Sequence, residues 1–289
     1  MCSILRVLCI ILLSVIYYDK TIADNIDVVD FKISKIRFNT QKRQQTKVIS
    51  GINFINIPTY RSIKDKGPIY KDVLEHSKQK PFGDDAGRNI NVHETVHGIH
   101  SDVRNEYEKK LGYRLNALYC LDGNIILLKE PNITIRHVIK YVPEELRSYR
   151  WNLYFVQQLS NWDDQPTYIL DEWIAYILGS KCAVNDHELG IKTHRSDAVS
   201  GCLDFSIYAV AFAMAVKEHD PNYWKNHPEF KETIKYHLIQ AEKTIGAGLD
   251  ISEFNSEKQD ILYNNLLHHV NGEDIREFLF DEFEGIFVD

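Results

Sequence analysis

The sequence predicts an α+β protein in which a small strand-bearing N-terminal part precedes a larger helical C-terminal part. Two early stretches, Phe31–Phe38 and Val48–Ile57, alternate apolar and polar residues as half-buried strands do. A pair of apolar segments, Leu115–Leu121 and Ile125–Leu128, flanks Asp122-Gly123-Asn124 in the manner of a hairpin. Beyond Thr134 the apolar residues recur mostly at helical spacing, which makes the C-terminal half a packed set of helices.

Met1–Ala23 reads as a secretory signal peptide. Arg6 stands near its start, Val7–Tyr18 is an apolar run too short to span a bilayer, and Thr21 and Ala23 are the small residues a peptidase needs before Asp24. The remainder, 24–289, reads as one domain with lobes of about 24–135 and 136–289. Of the whole chain's 289 residues, 44% are hydrophobic and 26% charged, which excludes disorder, collagen and a polytopic membrane protein. The formal charge is −7, and loss of Arg6, Asp19 and Lys20 makes it more acidic by one, so the chain lacks the basic field of a nucleic-acid binder. The expected setting is extracellular, with no membrane association once the signal is removed.

From Asp24 to about Lys80 the chain is mixed, punctuated by Pro58, Gly67-Pro68 and Pro81, and reads as structural rather than as a propeptide. Gly83-Asp84-Asp85 then offers a turn and an N-cap for a helix from Ala86 to Lys110, closed by Gly112. Asn132-Ile133-Thr134 is a glycosylation sequon, just past the hairpin. Helices are expected over Val142–Leu159, Pro166–Leu178, Asp197–Glu218, Pro228–Ile245, Ser256–Val270 and Glu273–Phe283. The Asp197 helix is apolar on nearly every side between Phe205 and Val216, which places it centrally. In an oxidising compartment Cys182 and Cys202 are the natural disulfide pair, leaving Cys120 free and buried.

The first long helix carries His93-Glu94-Thr95-Val96-His97, an HExxH pattern. Two histidines four apart share one helical face and can reach one metal ion, while Glu94 beside them can take a proton from a metal-bound water. The helix also separates its functions by face. Val92, Val96, Ile99 and Val103 form an apolar stripe, and His93, His97, His100 and Arg104 a polar one.

These residues resemble the zincin metallopeptidases, which bind catalytic zinc through both motif histidines and a third residue further along the chain. The resemblance implies a zincin-like fold, one zinc ion per chain, and a peptide or protein substrate. A metzincin would carry glycine three residues after the second histidine and a third histidine six after it; here those positions are His100 and Val103. A thermolysin-like spacing would select Asp122, which the hairpin turn explains better.

Glu172 is the strongest third ligand, in an apolar helix where an ionised carboxylate needs a cation. The pattern Glu172-Trp173-Ile174-Ala175 looks like the glutamate zincins with an E-x-x-A ligand helix, the lethal-factor-like peptidases among them, and Ala175 would let that helix approach the metal. Asp171 is the immediate rival, one residue or about 100° around the helix. Asp204 is expected to accept a hydrogen bond from a ligand histidine. Tyr176 and Tyr168 are the favoured donors to the oxyanion, with His100, His194 and Arg195 as further candidates.

The expected function is that of a secreted zinc metalloendopeptidase with Glu94 as general base. The alternative is a non-catalytic secreted zinc-binding or structural protein on the same fold, for which an occluded cleft or a fourth protein ligand such as His100 would be the sign.

Overall fold

Gly112 ends the motif helix as its sequence requires: it adopts φ 74°, in the left-handed region, and its N–H returns to the Glu108 carbonyl. The structure, a computed structural model, describes residues 52–81, 87–191 and 198–288. The signal segment, the Phe31–Phe38 strand, the turn at 83–85, and His194 and Arg195 lie outside the described residues.

Strand β1 (Phe54–Asn56) is the described end of the second alternating stretch. Helix α1 (Pro68–Glu75) follows where the sequence suggested only punctuation. Pro68 stands at the first helical position, where its missing N–H costs nothing, so Gly67-Pro68 starts a helix instead of interrupting one. The motif helix α2 (Arg88–Leu111) then leads into β2 (Leu115–Tyr119) and β3 (Asn124–Lys129). Leu121, Asp122 and Gly123 all take positive φ, and β2 and β3 pair antiparallel from Leu115↔Lys129 to Tyr119↔Ile125. The sheet order is β1-β3-β2, antiparallel throughout. Residues 52–81 therefore belong to the fold, with β1 in the sheet and Arg88 bridging Asp65 to Asp186.

The helical part begins with α3 (Ile135–Ile139), absent from the expected elements. The helix expected over Val142–Leu159 is instead broken. It becomes a 3-10 turn at Glu144–Leu146, a single turn α4 (Tyr149–Trp151) capped by Ser148, a π-helical stretch Asn152–Gln157, and a short α5 (Leu159–Trp162). Helix α6 (Tyr168–Glu188) passes through Gly179 and ends ten residues beyond the expected stop. That glycine serves packing: a Cβ there would lie 2.9 Å from the Asn89 carbonyl oxygen and 3.5 Å from His93 Cβ.

Helix α7 (Ser200–His219) is the expected central helix, buried nearly all round, and α8 (Pro221–Asn226), α9 (Pro228–Leu249), α10 (Glu257–His268) and α11 (Glu273–Phe283) complete the chain. One apolar cluster joins the sheet to α2, α6, α7 and α9. The fold is α+β, rich in helix.

The expected disulfide is corrected. Cys182 and Cys202 are separate buried thiols, one inside α6 and one inside α7, and Cys182 Sγ faces Asp186 Oδ2 at 3.6 Å, one turn along its own helix. Burial pushes both thiols above their ordinary pKa, so they stay protonated. Cys120 is free and partly buried, 3.7 Å from His237 Nε2.

Candidate metal centre

Helices α2 and α6 run antiparallel, since Gly179 lies against Asn89 while Glu172, two turns earlier, faces His97. Their close approach brings three groups to one point. His93 Nε2 and His97 Nε2 are 3.1 Å apart, and Glu172 Oε2 is 3.6 Å from the first and 3.5 Å from the second. Ala175, fully buried one turn after Glu172, keeps that contact side of α6 small.

Two imidazole nitrogens and a carboxylate oxygen facing one another need positive charge between them. In the free protein a proton supplies it. Burial alone would disfavour the charged ring, but Glu172 and Asp171 outweigh it and hold the His97 imidazole well above the usual histidine range. Glu172 and Asp171 are themselves buried, yet the histidines beside them keep both carboxyls far below the ordinary carboxylate range. The residues present thus fit a divalent cation: two neutral nitrogens, one anionic oxygen, and a site that already draws a positive charge.

Behind the ligands lies Asp171. Its Oδ1 accepts from His97 Nδ1 at 2.6 Å and from His100 Nδ1 at 2.9 Å, and Arg104 reaches Oδ2 at 3.4 Å. His97 Nε2 is therefore the nitrogen turned to His93 and Glu172. The one-residue step from Glu172 to Asp171 sends the two carboxylates to opposite nitrogens of one ring, Asp171 to Nδ1 and Glu172 to Nε2. His100 is wholly buried and uses both nitrogens, since its Nε2 accepts the Tyr119 backbone N–H at 2.9 Å. It supplies neither a fourth ligand nor an oxyanion donor.

Asp204 has a different partner from the one expected. It pairs with Arg150 at 2.6 Å between α7 and α4, because the broken helix brings a buried guanidinium to it. From Arg150 a chain of hydrogen bonds runs to the site. Arg150 Nε donates to the Tyr176 hydroxyl at 3.3 Å, Tyr176 stands 3.3 Å from the Tyr154 hydroxyl, and Tyr154 donates to Glu172 Oε2 at 3.1 Å. Tyr168 donates to Glu172 Oε1 from one turn earlier on α6. Burial first, then the charge of Glu172, pushes Tyr154 and Tyr168 well above the phenol range, so both remain donors. Tyr176 packs edge-on to His93 with centroids 4.4 Å apart, and Gly201 leaves room for its ring, since a Cβ there would lie 2.3 Å from it.

Glu94, partly exposed, has no hydrogen bond or ion pair among the described residues. Asp122 sits in the hairpin turn, its N–H on Asp72. Asn132 is exposed, with its backbone N–H on Asp220. Tyr154 is the site residue that sequence reasoning missed. The regular helix expected across it would have given it no reason to meet a residue eighteen positions away, and the π-helical stretch decides where it points. No family model, curated protein or solved structure matches this chain.

Proposed function

We propose that this protein is an exported zinc-dependent peptidase of zincin-like fold, with His93, His97 and Glu172 as metal ligands and Glu94 as general base. The observation that carries the reading is the spacing of the three ligand atoms, 3.1, 3.5 and 3.6 Å. Ligands about 2.0–2.2 Å from a tetrahedral zinc lie about 3.3–3.6 Å from one another; both carboxylate distances fall in that range, and the 3.1 Å between the two histidines is slightly short of it. The exported setting rests on Met1–Ala23, and the peptide or protein substrate on the resemblance of the His93–His97 motif to the zincins.

Bound there, zinc supplies Lewis acidity and a water acidified for attack at neutral pH. Glu94, one residue after His93 and unpaired, takes the proton of the attacking water and passes it to the leaving amine. Asp171 keeps His97 in the tautomer whose Nε2 lone pair faces the metal. Tyr168 and Tyr154 hold the Glu172 carboxylate ionised and aimed. Tyr176, polarised by Arg150 and packed on His93, is the proposed donor to the oxyanion, exchanging Tyr154 for the substrate oxygen. In the alternative of a closed structural zinc site His100 is not the fourth ligand, because both its nitrogens are already bonded.

Glu94→Gln tests the proposal. Peptide hydrolysis should fall by about 10²–10⁴-fold, the usual contribution of a general base, while bound zinc stays at one per chain by atomic absorption. Full activity in this variant, or a wild-type protein that holds no zinc, would overturn the reading.

A further inference from the structure

In an antiparallel pair, successive residues turn their N–H alternately toward the partner strand and away from it. The N–H of Cys120 goes to Asn124 and that of Glu130 to Arg114, so along β2 the even-numbered residues face β3. Leu115, Ala117 and Tyr119 turn theirs to the outer edge, where a substrate main chain would pair by strand addition. That edge is closed by side chains. Leu115 N–H goes to Glu108 Oε1 at 3.1 Å, Ala117 N–H to Asn116 Oδ1 at 2.9 Å, and Tyr119 N–H to His100 Nε2 at 2.9 Å. All five residues of β2 are buried. Among the described residues no strand pairs with the opposite edge, β1, which stands two strand spacings away, about 9.6 Å beyond β2.

What the ligand set does have beside it is aromatic surface. The Trp162 indole lies parallel on the Tyr168 ring, centroids 3.9 Å apart and planes within 8°, and the Tyr168 hydroxyl is on Glu172. Trp162 and Tyr168 are both partly exposed as residues, and the Tyr168 hydroxyl end is buried. Tyr154 completes this side, its ring edge-on to the buried Phe205 at 4.9 Å.

We propose that the site selects its peptide by a side chain rather than by its main chain, with Trp162 and Tyr168 walling a subsite for an apolar, preferably aromatic, residue. Such a ring extends the existing stack and removes apolar surface from water, an interaction that no backbone hydrogen bond on β2 replaces. Recognition is then narrow, in contrast to the sequence tolerance of strand addition. The inference rests on the peptidase reading of the metal centre.

The zinc-loaded Glu94→Gln protein, which does not consume its ligand, allows the test by fluorescence anisotropy. The probes are labelled Ac-Ala-Ala-Phe-Leu-Ala-Ala-NH2, the same peptide N-methylated at alternate amides, and Ac-Ala-Ala-Ala-Ala-Ala-Ala-NH2. The phenylalanine peptide should bind at least tenfold more tightly than the alanine peptide, and N-methylation should cost less than threefold. Adding Trp162→Ala should erase the preference, and Trp162→Phe should keep most of it with the same zinc content. Equal binding of the phenylalanine and alanine peptides, loss of binding on N-methylation, or no binding of either peptide to the zinc-loaded protein overturns this inference. Failure to bind zinc overturns the metal-centre reading instead.

Discussion

His97 and Asp171 meet through Nδ1 and Oδ1 at 2.6 Å, while the next residue, Glu172, brings Oε2 to 3.5 Å from the other nitrogen of the same ring. Consecutive acids on one helix thus hold one imidazole from both sides. The pair explains why an apolar helix carries two adjacent carboxylates, and why exchanging their roles would turn the ring away from His93.

Asp171→Asn keeps the shape but removes the charge that His97, His100 and Arg104 share. Zinc affinity should fall by about 10–100-fold, as for other groups that orient metal ligands. The metal-free protein should also lose about 1–3 kcal/mol, because His97 and Arg104, both partly buried, lose their shared counter-charge while burial keeps His100 neutral. Competition with a fluorescent chelator measures the first, and urea unfolding in the presence of EDTA the second. An unchanged zinc affinity would show that Asp171 only packs.

Gly179→Ala tests the contact that brings the ligand helices together. The added Cβ meets a backbone oxygen at 2.9 Å, which cannot swing aside as a side chain does. A cost of about 1–3 kcal/mol is expected from overpacking. Zinc affinity should weaken with it, since α2 and α6 must separate to admit the methyl. Ala175→Gly, on the same helix, lowers stability by about 1 kcal/mol through helix propensity and serves as the control for zinc affinity. Calorimetry with and without zinc separates the two effects.

Glu130 governs a pH dependence away from the metal. Burial pushes its carboxyl up to about 7, against the hydrogen bonds from the Thr167 N–H and hydroxyl at the start of α6. Because its folded pKa is raised, the stability linked to its proton is fully present below the unfolded value and is lost as pH rises through about 7. Wild-type stability from this group should drop by about 2 kcal/mol between pH 4.5 and 7.5, after allowance for its partial exposure. Glu130→Gln should flatten that fall, as followed by denaturant midpoints across the pH range. A variant with the wild-type slope would remove Glu130 as its source.

The motif helix, its glycine stop, the hairpin and the central helix were legible because each follows from local spacing. Val92, Val96, Ile99 and Val103 mark a buried stripe, and Asp122-Gly123-Asn124 a turn, whatever surrounds them. The Val142–Leu159 stretch was misread for the opposite reason. Its apolar residues satisfy a helical period, but the stretch is broken into turns in which Arg150 meets Asp204 and Tyr154 meets Glu172, partners distant in the chain. The Cys182–Cys202 pairing failed similarly, since sequence separation carries no information on how two helices rotate against each other.

By itself, then, the sequence determined that His93 and His97 share a face with Glu94 beside them, because a four-residue step on a helix leaves no choice. It also singled out Glu172, whose charge has no local reason in an apolar helix. Tertiary structure alone decided which of two adjacent acids faces both motif histidines, that Asp171 and not Asp204 receives His97, that Tyr154 reaches Glu172, and that side chains take the outward N–H groups of β2. Each depends on the rotation and contact of elements distant in the chain, which the packing of the whole core sets and no local pattern encodes.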